Sequence, residues 1–252
     1  MDVNVKFKLR VSRKSLLLTS LLVVILTSFC FISVFNGVSS FALGASDKIV
    51  NNETELRNAV VDAPNRRSTT IVLNKDIALT NSSLIIPADK DITLTSNKAS
   101  GFCELIGAEG RSTIDVSENC VLKLDGIIIT HTKSAGVIGG GIYVATNGKL
   151  VLYSGEIFGN SAVDYGAPYS WRATGGGVYN LGVFEMYGGK ISNNSATSWG
   201  TSVGGYGGGV YNNGTFTMSG GEITYNLAHA FGGGVYNEGT FNQLGGTISG
   251  KD

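Results

Sequence analysis

The sequence predicts an all-β chain wound as a repeating solenoid of the parallel β-helix kind, entered through one short helix and preceded by an apolar export or anchor segment. Three observations predict this. A glycine-rich block recurs four times, short β-rich runs replace every helix signal from Thr69 onward, and the first 45 residues are of a different composition from the rest. Glycine is 36 of 252 residues, about twice the usual share, while proline is only three and 42% of residues are hydrophobic. Such a chain can bury a core, so its glycines serve tight or left-handed backbone rather than disorder.

The opening segment comes first. Lys6, Lys8, Arg10, Arg13 and Lys14 precede an apolar run over residues 16–35, followed by the small residues SSFALGAS. A basic flank, an apolar centre and small residues read as export machinery. The run, about 20 residues, also suffices to span a bilayer. Two readings stand side by side: a signal peptide cleaved near Ala45, or an uncleaved anchor at residues 15–35 that ties the chain to the membrane. Both place residues 46–252 outside the cytoplasm, secreted or at the cell surface. Phe29 before Cys30 is too large for a lipid-attachment site, so a lipoprotein is not expected.

Beyond this segment 14 basic and 18 acidic residues remain, a mildly acidic balance. Phosphate binding needs a basic footprint, which argues against a nucleic-acid partner. Cys103 and Cys120 are a candidate disulfide in an exported protein, and equally two small buried hydrophobes. The chain has two histidines, His131 and His229, and no CxxC or HExxH spacing, so no metal or cofactor is expected. Asn52, Asn81, Asn193 and Asn213 head N-x-Ser/Thr triplets and are glycosylation candidates.

The stretch NETELRNAVVDAP predicts the helix. Asn52 or Thr54 caps it, Leu56, Ala59 and Val60 share one face, and Pro64 ends it. From Thr69 the runs TIVL, IAL, LII, ITL, TIDV, VLKL and GIIIT, punctuated by Asn, Asp, Lys and Gly, read as short strands.

The repeats decide how those strands are arranged. GGGIYVATNGKLVLYSGEI begins at Gly139, GGGVYNLGVFEMYGGKI at Gly175, GGGVYNNGTFTMSGGEI at Gly207 and GGGVYNEGTFNQLGGTI at Gly232. A fixed unit of about 22 residues, with inserts of 12, 10 and 3 residues at a single point, is how solenoids vary. Each unit holds about three short strands, one coil of a parallel β-helix, and is too short for a propeller blade. Period two puts Leu150/Leu152, Phe184/Met186 and Phe216/Met218 inside, and Lys149/Val151, Val183/Glu185 and Thr215/Thr217 outside. Stacked coils then align three ladders: Asn160, Asn194 and Asn226; Tyr143, Tyr179, Tyr211 and Tyr236; and the sign-alternating Glu156, Lys190 and Glu222. In the fourth unit Gln243 stands where Met218 is expected, and the chain stops at Asp252 without a cap. An open coil edge is a pairing hazard, so a longer gene product or end-to-end self-association is expected there.

The signature GGG[VI]YNxGxFxMxGGxI followed by NxxA resembles the right-handed parallel β-helix repeats of the pectin-lyase-like superfamily, and is most similar to adhesin-like surface proteins of archaea and bacteria. The opening TELRNAV…TIVLNKDIALTNSSLIIPADKDITL resembles that superfamily's N-terminal capping helix and first coils. The resemblance spans about residues 50–252 and implies fold far more than function. It brings enzymes into view, polysaccharide lyases with Ca²⁺-binding carboxylates and hydrolases with acid/base pairs. The matching clusters are missing from this sequence. Lys190 separates Glu156 from Glu222, Glu185 has Val151 and Thr217 beside it, and Asp115 and Asp125 lack a basic partner. The motif combinations NTD, DD, GHG and RIK are absent.

A glycine triplet is also a phosphate-loop candidate, but no Lys-Ser/Thr and no helix follows it. The inserts hold what the repeats do not: both tryptophans, Trp171 and Trp199, with Tyr165, Tyr169, Tyr206, His229 and Phe231. All emerge at one corner, which expects either an aromatic binding edge for a carbohydrate or another surface, or a local cap of buried rings. The expectation is a non-catalytic, adhesin-like surface protein; a secreted polysaccharide lyase or hydrolase and a structural envelope component are its alternatives.

Overall fold

A computed structural model describes residues 47–98, 101–131, 139–164, 173–198 and 204–250. They lie in one compact unit, Ser46–Asp252. The export or anchor segment over residues 1–45 falls outside the described residues. Strand makes up 53% of what is described, and Glu53–Asp62 is the one helix in it.

That helix, α1, begins as its sequence dictates. Asn52 has extended backbone and its Oδ1 accepts from Glu55 N at 2.9 Å, which satisfies one of the first-turn donors. Leu56, Ala59 and Val60 are buried, and the chain leaves the helix at Ala63, one residue before Pro64. The helix packs on strands Lys48–Val50 and Ser68–Leu73.

Among the described residues all strand pairs are parallel; the first and second sheets collect one strand from each successive coil, while the third also takes in Ser161–Asp164 and Ser195–Ser198, and Ala173–Thr174 pairs with Gly205–Tyr206 in a small sheet of its own. The first sheet runs from Lys48–Val50 through Ser68–Leu73, Asp91–Ser96, Val121–Asp125, Lys149–Leu152, Val183–Met186 and Thr215–Met218 to Thr240–Gln243. The second runs from Leu84–Ile86 through Ile114–Val116, Ile142–Val144, Val178–Asn180 and Val210–Asn212 to Val235–Asn237. The third includes Cys103–Gly107, Ile127–His131, Gly155–Phe158, Lys190–Ser192 and Glu222–Ala228. A chain that visits three parallel sheets in rotation is compatible with a parallel β-helix or solenoid.

The register is the one read from period two. Leu150, Phe184 and Phe216 align, as do Leu152, Met186 and Met218, and all six are fully buried. Phe184 and Phe216 stack at 4.6 Å, and Phe241 continues the column at 4.9 Å. Gln243 pairs with Met218, in the inward place expected for it. Val151 departs from its expected exposure and is buried, because the Lys149–Glu185 ion pair crosses diagonally beside it.

Each glycine of a triplet has its own reason. The first sits at φ +66° in Gly175 and Gly207. A β-carbon on the second, Gly176, would lie 2.3 Å from Ser195 O, and one on the third, Gly177, 3.0 Å from the Asn194 amide. A left-handed turn, a backbone-on-backbone approach and a seat for a side chain follow one another. Cys103 and Cys120 are separate buried thiols, not a disulfide, and fit the second sequence reading. Cys103 donates to Leu73 O and Cys120 to Ile86 O and Ser117 O, and burial pushes the Cys120 thiol up to about 11.

Candidate functional site

The repeated residues form ladders, and the ladders occupy them. Asn160 Nδ2 donates to Asn194 Oδ1 at 2.9 Å, and Asn194 Nδ2 to Asn226 Oδ1 at 2.9 Å, with all three side chains buried. A second amide ladder runs beside the first. Asn180 donates to Asn212 at 2.7 Å and Asn212 to Asn237 at 2.6 Å. The signal is the Asn of each VYN, two residues after an inward Val and so on the same face of the strand. Alternation along the strand puts this amide on the same inward face as Val178, and Asn180 Oδ1 accepts from Gly182 N.

His131 closes the first ladder at its open oxygen. Its Nδ1 lies 3.1 Å from Asn160 Oδ1 and 2.9 Å from Thr113 Oγ1, and its Nε2 2.6 Å from Arg111 O. Gly107 makes room, since a β-carbon there would come within 2.4 Å of the imidazole. His131 is therefore a structural plug.

The tyrosine column forms as expected: Tyr143–Tyr179, Tyr179–Tyr211 and Tyr211–Tyr236 stack at 5.7, 4.9 and 5.6 Å. Burial, then the hydrogen bond to Glu238, pushes the Tyr211 hydroxyl well above the ordinary phenol range. Glu156, Lys190 and Glu222 also align. Glu156 accepts from Ser192 Oγ, and the cross-coil ion pairs lie on another sheet, Lys149–Glu185 and Lys123–Asp91, both at 2.7 Å. Lys149 reaches Glu185 diagonally, a contact that column-by-column reading misses.

The carboxylates considered for chemistry are not brought together. Asp115 lies on the second sheet beside Tyr143, and burial raises its carboxyl against hydrogen bonds from Ser83 and Ser112. Asp125 lies on the first sheet and accepts from Ser154 Oγ at 2.6 Å. Among the described residues no cluster of three or more His, Cys, Asp or Glu is arranged to hold a metal ion.

Of the insert aromatics, Trp171, Trp199, Tyr165 and Tyr169 lie outside the described residues. Tyr206 is 7% exposed and Phe231 64% exposed; the two residues bridge in parallel and their rings approach to 6.0 Å. Tyr206 also meets Tyr236 at 4.9 Å, so the insert corner continues into the tyrosine column. Beside it Thr197, Ser198, Leu227, Ala228 and His229 line a shallow pocket of about 430 Å³. Ser198 Oγ is buried there without a hydrogen-bond partner among the described residues. The four sequon asparagines are all exposed, although Asn52 is engaged as the helix cap.

Compared with protein-family models, curated proteins and solved structures, the chain matches none of them.

Proposed function

We propose that this chain is a right-handed parallel β-helix of the pectin-lyase-like superfamily and an adhesin-like, non-catalytic protein of the cell surface. It is exported by its first 45 residues and binds glycans or another surface through the corner where the inserts emerge. One observation carries the reading. The repeated residues are engaged in core, turns and ladders, whereas sequence variation and both tryptophans gather in the inserts between them. Insertions on one face of a repeat array are where such arrays bind, and aromatic rings stack on sugars. The Tyr206–Phe231 contact and the pocket beside His229 give that corner a partly apolar floor. The test is a glycan array probed with the full chain and with the Trp171→Ala/Trp199→Ala double variant. Binding falls at least about tenfold while the β signal in circular dichroism is kept. Unchanged binding removes the insert corner as the site.

A further inference from the structure

A second outward column, begun by two stacked tyrosines, runs along the edge of the first sheet. It occupies the position just after each inner strand of the repeat: Tyr153, Tyr187, Ser219 and Leu244. Their backbone amides bond in the same way to the coil before, Tyr187 N to Leu152 O, Ser219 N to Met186 O and Leu244 N to Met218 O. Tyr153 and Tyr187 stack at 5.5 Å with planes 15° apart. That separation is too short for rings side by side, so one ring lies over the other along the direction in which coils stack. The free face of Tyr187 therefore looks toward the next coil, where the column holds only the small Ser219. Leu244, one coil further, is 75% exposed, and Tyr187 is 51% exposed.

The column thus has a gap one coil wide, walled by an aromatic face and a leucine. Strands two coils apart are separated by about 9.6 Å. Contact on both sides of an inserted ring takes about 7–8 Å, so the gap admits one ring and not two. Its polar side is the adjacent column. Glu185, Thr217 and Asn242 align there in register, Thr217 is half-buried, and Asn242 and Ser219 are exposed. Tyr187 Oη donates to Glu185 Oε2 at 3.2 Å, while Lys149 holds Glu185 Oε1 at 2.7 Å and offsets its charge. A flat apolar wall beside a carboxylate, a hydroxyl and an amide suits a ring with C–H groups on one face and hydroxyls at its edge.

We infer that the gap over Ser219 is a binding subsite for one neutral hexopyranose unit of a glycan, with Tyr187 as its stacking platform and Glu185 and Asn242 as partners for the sugar hydroxyls. The subsite is independent of the insert corner and stands or falls separately from it. The full chain is titrated with cellotetraose, maltotetraose and mannotetraose, with indole as an aromatic control, by calorimetry and NMR line broadening. At least one tetrasaccharide binds. Tyr187→Ala weakens it about tenfold or more through loss of the platform, and Ser219→Tyr does the same by continuing the stack into the gap. Ser219→Thr, which leaves the gap open, binds as the parent does. Both gap residues are solvent-exposed, and circular dichroism confirms that the variants keep their β-structure. The inference is overturned if no tetrasaccharide binds, if indole binds in their place, or if binding survives both Tyr187→Ala and Ser219→Tyr.

Discussion

The coils before residue 131 and those after residue 139 wind the same parallel strands by different means. The early coils fill their interior with branched aliphatics, Ile71, Leu73, Ile92, Leu94, Leu122 and Leu124, whereas the later ones stack Phe184, Phe216 and Phe241 and align Met186 with Met218. Each region also has an asparagine ladder. In the early coils Asn74 Nδ2 donates to Asn51 Oδ1 at 3.0 Å and Asn97 Nδ2 to Asn74 Oδ1 at 3.4 Å, at the surface. In the later coils the Asn160–Asn194–Asn226 ladder is buried and shorter. The same side chain at the same spacing does different work. Water can replace an exposed amide partner, but nothing replaces a buried one.

The largest expected effect follows from that contrast. Asn194 accepts from Asn160 N and Asn160 Nδ2 and donates to Ile157 O and Asn226 Oδ1. Asn194→Ala strands these buried partners and is expected to cost about 3 kcal/mol, read as a lower midpoint in urea denaturation. A loss under about 1 kcal/mol would mean that water enters the turn and that burial does not set the ladder's value.

How much of this was legible depended on repetition. Where four copies stand one above another, period two identifies Phe184 and Met186 as core and a shared position identifies Asn160, Asn194 and Asn226 as a ladder. Where contacts run diagonally or between unlike coils, the pattern is silent. Lys149 pairs with Glu185 across both a coil and a column, and His131 finds its partners at Thr113 and Arg111 in a coil without a copy. Asn180 and Asn212 lie in phase with the inward Val178 and Val210, a signal that period two carries but that a polar residue hides. Tyr206 is an insert aromatic by sequence, yet it is buried and its ring meets Tyr236, which the sequence places in a different column.

Acid separates the two regions next. The carboxyls held below their ordinary range lie in the early region. For Glu53 burial pushes upward, but hydrogen bonds from Arg57 and Thr80 outweigh it; Glu55 is lowered by Asn51 and Asp76 by Glu104 N–H. A depressed folded value contributes stability above the ordinary carboxylate range that is lost as pH falls through the folded value. Asp115 works in the opposite sense: burial raises it, so its contribution is present at low pH and lost as pH rises through the raised value. Three groups against one predict that the early coils loosen first on acidification. Hydrogen exchange followed from neutral pH down through and below the ordinary carboxylate range of about pH 4 reads this out. Amides of Leu56 and Ile77 lose protection before those of Phe184 and Ile191. The reverse order would break the assignment, and Asp76→Asn should narrow the gap.

The smallest expected effect sharpens the comparison most. Asn74→Ala removes the central amide of the early ladder, with the same two lateral contacts that Asn194 makes to its neighbours. If alignment of amides were itself the source of stability, the two alanine variants would cost alike. If burial decides, Asn74→Ala falls within about 0.5 kcal/mol of the parent, because water takes over both bonds of an exposed side chain. The two sites are far apart in the stack, so the double variant Asn74→Ala/Asn194→Ala should show the sum of the two within about 0.5 kcal/mol. A cost for Asn74→Ala near that of Asn194→Ala would move the explanation from desolvation to cooperativity along the amide row, and the early and late coils would then be held by one mechanism instead of two.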